Sequence, residues 1–317
     1  MLARWHGLAV VLAATGAIVF ATSARASSSG QQTDAQTAAA ESRVVIDGYG
    51  RKVTIPAQVN RIVTLAPNLT ETVYALGLGG KLVGDTNECD KPAAAKLKPH
   101  VGDYVDPDLE SIVALRPDLV LATSANRIET VDALTRLGIP VYTTDPRTVL
   151  ETLDSVRQIA DVTGARQQGQ QLVAQLRQRL DEIQARLANR PVEHVLFVIW
   201  DDPLMSVGQN TFIADALRWA GAESVVLSHQ KWPQLSMEEV VRLQPEYIVF
   251  AAHTEGSQQA LDDLRARPVW RDLDAVEMGH VVDVSEEALR PSPGLVGVID
   301  ELAHELHPNA FRHKAGN

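Results

Sequence analysis

A single cysteine, Cys89, stands in 317 residues. No intrachain disulfide can form, so the fold must rest on its apolar cores. Aromatic residues make up only 5% of the chain, which singles out those that fall in loops. Beyond the first 26 residues no apolar run approaches the roughly 20 residues that a membrane-spanning helix needs. No G-x-S-x-G elbow, phosphate-binding loop or CxxC pair occurs, which removes common signals of nucleophilic hydrolysis, nucleotide-phosphate binding and thiol redox work. Positive charge is also in deficit: 29 Lys and Arg oppose 40 Asp and Glu, a net charge of −11. That balance disfavours nucleic acid and anionic membrane as partners.

The first 26 residues have the layout of an export signal. Arg4 and His6 precede an apolar run from Gly7 to Phe20, and Ala24, Arg25 and Ala26 form a small-residue cleavage site. Removing 1–26 leaves 27 basic against 40 acidic side chains, a net charge of −13. No Cys stands near the cleavage site, so the expectation is a free periplasmic protein without a lipid anchor, working as a monomer. Residues 27–42 are small, polar and aperiodic, and are expected to be a disordered leader.

The stretch that organises the rest runs from Ala165 to Asn189. Leu172, Leu176, Leu180, Ile183 and Leu187 recur at steps of three and four, which gathers them on one face of a helix otherwise covered by Gln, Arg and Asp. At 1.5 Å per residue it would span roughly 37 Å. The pattern predicts a rigid strut between two lobes; a long surface helix within one domain is the plainer alternative. On either side, short apolar strands alternate with helices that stop at Gly77, Gly138 and Gly221. An Asp47–Gly48 hairpin opens the first lobe. The expected class is α/β: two Rossmann-like lobes with parallel sheets joined by one long helix, with lobes at 43–164 and 190–308, the helix at 165–189 and a tail at 309–317.

The second lobe repeats the first. LESIVALRPDLVLA from Leu109 lies over MEEVVRLQPEYIVFA from Met237 at an offset of 128 residues, with Pro117 over Pro245 and Glu110 over Glu238. At the same offset Tyr104 lies over Trp232, six residues before each glutamate. In open α/β sheets ligands bind beyond the carboxyl ends of the strands, so two facing lobes would line a cleft with Tyr104 and Trp232 on opposite walls. Trp200, at a strand end, is a candidate third wall, and Asn68, Glu71, Asn87, Glu88, Asp201 and Asp202 fall in strand-to-helix loops as candidate hydrogen-bond partners. A partly buried loop aromatic is the plainer reading of Tyr104 and Trp232. For Glu110 and Glu238 it is helix capping; a matched pair would instead fit a two-fold symmetric partner with basic sockets. His253 is the histidine best placed for the cleft. His304 and His307 in HELH lack a third ligand nearby and read as a solvated helix face. No metal site or cofactor is expected, and Cys89 is expected to be packed rather than reactive.

Taken together, RIVTLAPNLTETVYALG from Arg61, NECDKP from Asn87, the two repeat segments and RPSPGLV from Arg290 resemble the helical-backbone substrate-binding proteins of ABC importers for cobalamin, haem and ferric siderophores. Within that group the chain looks most like the periplasmic cobalamin-binding proteins. The resemblance implies no catalysis. It implies capture of a corrinoid between Tyr104 and Trp232, with Arg290 among the ligand-facing residues, and docking of Glu110 and Glu238 on arginines of a permease dimer. An aromatic is common in the family where Lys91 stands, and a tryptophan is familiar in place of Tyr104. Haem or a ferric siderophore on the same fold is the nearer alternative, with Tyr104 or His253 as an axial ligand for haem. An exported two-lobed enzyme is the remoter one.

Overall fold

Strands whose alternate residues are all apolar can be covered on both faces, and this chain uses them in two sheets. The computed structural model describes residues 42–251 and 257–312. The expected signal peptide, nearly all of the leader, His253 and the last five residues lie outside them. From Ser42 onward the chain forms one compact unit.

A two-stranded antiparallel hairpin, β1 (Arg43–Ile46) and β2 (Lys52–Ile55), opens it. The first sheet follows, with β3 (Ile62–Thr64), α1 (Pro67–Ala75), β4 (Leu82–Gly84), α2 (Leu109–Ala114), β5 (Leu119–Thr123), α3 (Ile128–Arg136) and β6 (Val141–Thr144). Its four strands are parallel in the order β4-β3-β5-β6. Two long helices come next, α4 (Val149–Thr163) and α5 (Arg166–Leu187). The second sheet is built from β7 (Glu193–Asp201), β8 (Leu204–Ser206), α6 (Phe212–Trp219), β9 (Ala222–Ser224), α7 (Met237–Leu243), β10 (Tyr247–Ala251), α8 (Ser257–Ala266), β11 (Val281–Val284) and α9 (Leu295–Leu306). Strands β9, β7, β10 and β11 pair in parallel and repeat the first order; β8 adds an antiparallel hairpin strand to β7. That antiparallel strand departs from an all-parallel expectation, and β7 hosts it because its nine residues outrun its parallel partners.

Period-2 alternation feeds each face of each sheet. Leu119 and Leu121 of β5 join the core beneath α1 and α4, while Val120 and Ala122 join the core beneath α2 and α3. In β7, Val195 and Phe197 enter one core and Leu196 and Val198 the other. The joining element is the clearest surprise. Helix α5 behaves as its periodicity predicts: Leu172 packs on the first lobe's core, while Leu180, Ile183 and Leu187 are buried in the second's. Yet α4 spans the lobes too, with Val149 and Leu153 in the second lobe's core and Val156 and Ile159 in the first's. The lobes are therefore joined by an antiparallel helical hairpin. Gly164, at φ +81, makes its turn, and Gly169 allows α5 to lie against Ala160 where a Cβ would collide. The hairpin is pinned at its far end by Asp215 of α6, whose carboxylate accepts from the Val149 amide at 2.8 Å.

Two smaller expectations change. Asn68 and Glu71, expected in a strand-to-helix loop, lie within α1, which starts at Pro67 because proline at the first helical position has no amide to leave unsatisfied. Only His304 of the HELH pair is exposed; His307 is buried, its Nε2 3.1 Å from the Gly221 carbonyl.

Candidate functional site

The carboxyl ends of both sheets open into one cavity of about 790 Å³, within the size range of small-molecule sites. Ala66 after β3, Asn68 in the first turn of α1, Ser124 after β5 and Asp145 after β6 line it from the first lobe; the second lobe supplies Ile199, Met205, Phe212 and Leu289. Tyr104 and Trp232 both line it, 38% and 42% exposed. Each is followed by a short helix entered through an equivalent cap: Asp108 accepts from Glu110 N for α2, and Ser236 from Glu239 N for α7.

The Tyr104 wall is locked from behind. Asn126, buried in the loop after β5, donates from Nδ2 to the Leu65 and Tyr104 carbonyls and accepts from the Thr123 amide at 2.7 Å. Glu88 accepts from the Tyr104 amide at 3.2 Å and also lines the cavity. Asn126 escaped sequence reasoning, since only the fold brings the distant Leu65 and Tyr104 carbonyls to one amide. At the root of the same wall Asp85 is wholly buried, with Oδ1 2.8 Å from His100 Nδ1 and Oδ2 unpartnered among the described residues. Burial pushes its carboxyl up to about 6, against the pull of His100 and Lys98. Cys89 is buried nearby and accepts from the Thr70 hydroxyl at 3.1 Å; burial raises its thiol further from reactivity.

Charge in the cavity is balanced within itself. Its lining holds Glu88, Asp145 and Glu286 against Arg147, Lys231 and Arg290. Arg290, expected to face ligand, is largely committed to carboxylates of both lobes: Glu71 at 2.7 Å, Asp90 at 2.9 Å and Glu286 at 2.8 Å. Burial works to raise the Asp90 carboxyl, and the Arg290 guanidinium overrides it and holds Asp90 below the usual range. Beside this cluster Lys91 reaches Glu287 across the cleft at 3.0 Å. A salt bridge to the opposite lobe occupies the position where an aromatic is common. At another point Lys231 stands 3.6 Å from Asp145, which also accepts from the Ser124 hydroxyl at 2.5 Å. Arg147, Lys231 and Asp145 were not among the residues singled out from sequence.

Asn68 lines the cavity and donates to the Pro291 carbonyl at 3.5 Å. Trp200 stands apart: the β7 register shifts between Val198 and Trp200, Ile199 takes the lining position, and the Trp200 indole donates to the Asp202 carbonyl at 2.7 Å. The expected third wall is thus aliphatic. Asp201 pairs with Arg267 at 2.8 Å. Among the described residues no cluster of three or more His, Cys, Asp or Glu could hold a metal ion, and no helix is long and apolar enough to cross a membrane.

Glu110 and Glu238 occupy the second position of α2 and α7 and are exposed. Capping is performed by Asp108 and by the Ser236–Glu239 box, and among the described residues neither Glu110 nor Glu238 has a side-chain hydrogen bond or ion pair. The repeat extends to the backbone: Arg116 and Gln244, 128 residues apart, both adopt φ 45 before a proline.

Comparison with known proteins bears on this arrangement. Residues 62–288 match the model of a family described as periplasmic binding protein. An uncharacterised ABC transporter substrate-binding lipoprotein, YvrC of Bacillus subtilis, is 32% identical over 275 residues, covering 84% of this chain and 86% of that one. A vitamin B12-binding protein of Yersinia pestis is 31% identical over 217 residues, covering 68% and 76%. Among solved structures, a periplasmic haem-binding protein from Pseudomonas aeruginosa superposes with a TM-score of 0.71 at 27% identity, covering 79% of this chain and 93% of that one.

Proposed function

Because this chain belongs to the periplasmic binding protein family of ABC importers, we propose that it captures cobalamin or a related corrinoid in its cleft and hands it to a permease. One observation carries the ligand reading: two aromatic side chains at equivalent repeat positions, Tyr104 and Trp232, line a single cavity from opposite lobes. Aromatic faces are platforms for a large, flat ligand. The charge balance supports it. A ligand that carries amides rather than net charge asks for hydrogen bonds without a surplus of cations, and each cavity cation already faces a carboxylate. A ferric siderophore would call for an Arg-rich wall. The relative from Yersinia, described as vitamin B12-binding, supports the same ligand class.

Haem is the second reading, favoured by a phenol on the wall at Tyr104 and by the Pseudomonas structure. Delivery follows from Glu110 and Glu238, one per lobe, each exposed and each unneeded for its own helix cap. The protein itself performs no chemistry in this scheme. Parallel titration with cyanocobalamin, haemin and a ferric siderophore tests the ligand. Saturable one-to-one binding of cyanocobalamin alone is expected, and binding of haemin alone, with a shift of its absorption band, would replace cobalamin with haem.

A further inference from the structure

The two helices that carry the docking glutamates are alike in shape and unlike in charge. The burial pattern is shared around the docking glutamates: Ile112 and Val240 are fully buried, while Val113 and Val241 are each 40% exposed. On a helix, Val113 lies three residues beyond Glu110 and Val241 three beyond Glu238, so each lobe offers a carboxylate with an aliphatic knob beside it. The flanking charges break this symmetry. From Asp103 to Ala114 the first lobe carries Asp103, Asp106, Asp108 and Glu110 and no cation. The equivalent window, Lys231 to Arg242, carries Glu238 and Glu239 against Lys231 and Arg242. The formal charges are −4 and 0. Arg127 stands 3.4 Å from Asp106 and Asp145 stands 3.6 Å from Lys231; including those partners leaves −3 against −1. Moreover Ala114 occupies the place of Arg242, one turn after the docking glutamate, so only Glu238 has a cation as its neighbour on the helix.

Resting on the docking reading above, we infer that association with a two-fold symmetric, basic permease is polarised. The first-lobe face, through Glu110 and its surrounding aspartates, captures the permease electrostatically. The second-lobe face, near neutral, locks on afterwards through Glu238 and Val241. The physical ground is range. Charges steer encounter over about a Debye length, ~8–10 Å, whereas an aliphatic contact acts only once surfaces meet. A partner with two identical sockets therefore meets one attractive face and one nearly neutral face, which fixes the order of engagement.

The test measures association of residues 27–317 with a two-fold symmetric ABC importer permease, purified and held in lipid nanodiscs, at about 50 and 300 mM salt. The double variant Asp106→Asn, Glu110→Gln should slow association about tenfold at low salt and flatten its salt dependence. Glu238→Gln should leave the association rate within about threefold and speed dissociation instead. Arg242→Glu should accelerate association. Equal slowing by the two neutralisations, or a larger effect from Glu238→Gln, would overturn the inference while leaving docking intact. If the unmodified protein fails to bind the importer, the docking reading itself falls. Unchanged melting temperatures establish that each variant is folded.

Discussion

Arg290 sits among three carboxylates drawn from both lobes, and its first task is to hold geometry. Removing the half-buried guanidinium that these carboxylates share leaves Glu71, Asp90 and Glu286 facing one another. Arg290→Met should therefore cost about 2–4 kcal/mol in urea unfolding, more than a surface arginine would. Asp85 makes a different prediction. Burial holds its folded carboxyl up at about 6, above the ordinary aspartate value. A raised acid favours the folded state below its unfolded value and loses that contribution as pH rises through the folded one. Stability should fall between pH 4 and pH 7 by about 1–3 kcal/mol from this group. Asp85→Asn should flatten that slope, measured by denaturation at both pH values; an unaltered slope would show that the buried carboxyl is already neutral across the range or is reached by solvent.

Among the elements, the helical hairpin decides how the lobes can move. Two antiparallel helices, each with one end in either core, resist shear and bending better than one, so ligand-linked closure should be small. Gly169 is its point of closest approach. Gly169→Ala would ordinarily favour a helix by about 1 kcal/mol, but here the new methyl meets Ala160. The variant should lose about 1–3 kcal/mol, and Ala160→Gly added to it should restore most of the loss; failure of that rescue would place the strain elsewhere. Much at this scale was legible in sequence. The 3–4 periodicity gave α5, short apolar runs gave most of the strands though not β8, β9 and β11, and the 128-residue offset related the two lobes. What stayed hidden was allegiance. Periodicity reveals that α4 has an apolar face, yet nothing in it says that Val149 and Val156 enter different cores. Trp200 was misjudged for a related reason, since a register shift in β7 depends on its pairing with β8. Asn126 was invisible because the Leu65 and Tyr104 carbonyls reach it only after folding.

In the whole molecule one internal repeat sets both the cleft and the pair of proposed docking faces. Tyr104 and Trp232 look inward, and Glu110 and Glu238, six residues later, look outward, so capture and delivery are separable. Reversing charge at both glutamates should abolish uptake in cells while leaving ligand affinity within about twofold, because neither side chain lines the cavity. Loss of affinity in that variant would mean that the glutamates support the cleft instead. Calorimetric titration of cyanocobalamin into residues 27–317, with and without Trp232→Ala, tests the proposed stacking cleft. Saturable one-to-one binding is expected, weakened about tenfold or more by the substitution, since an aromatic contact of this kind is worth about 0.5–1.5 kcal/mol beyond its buried area. Heat-silent mixing with the unmodified protein, or equal affinity with and without the Trp232 ring, would contradict it.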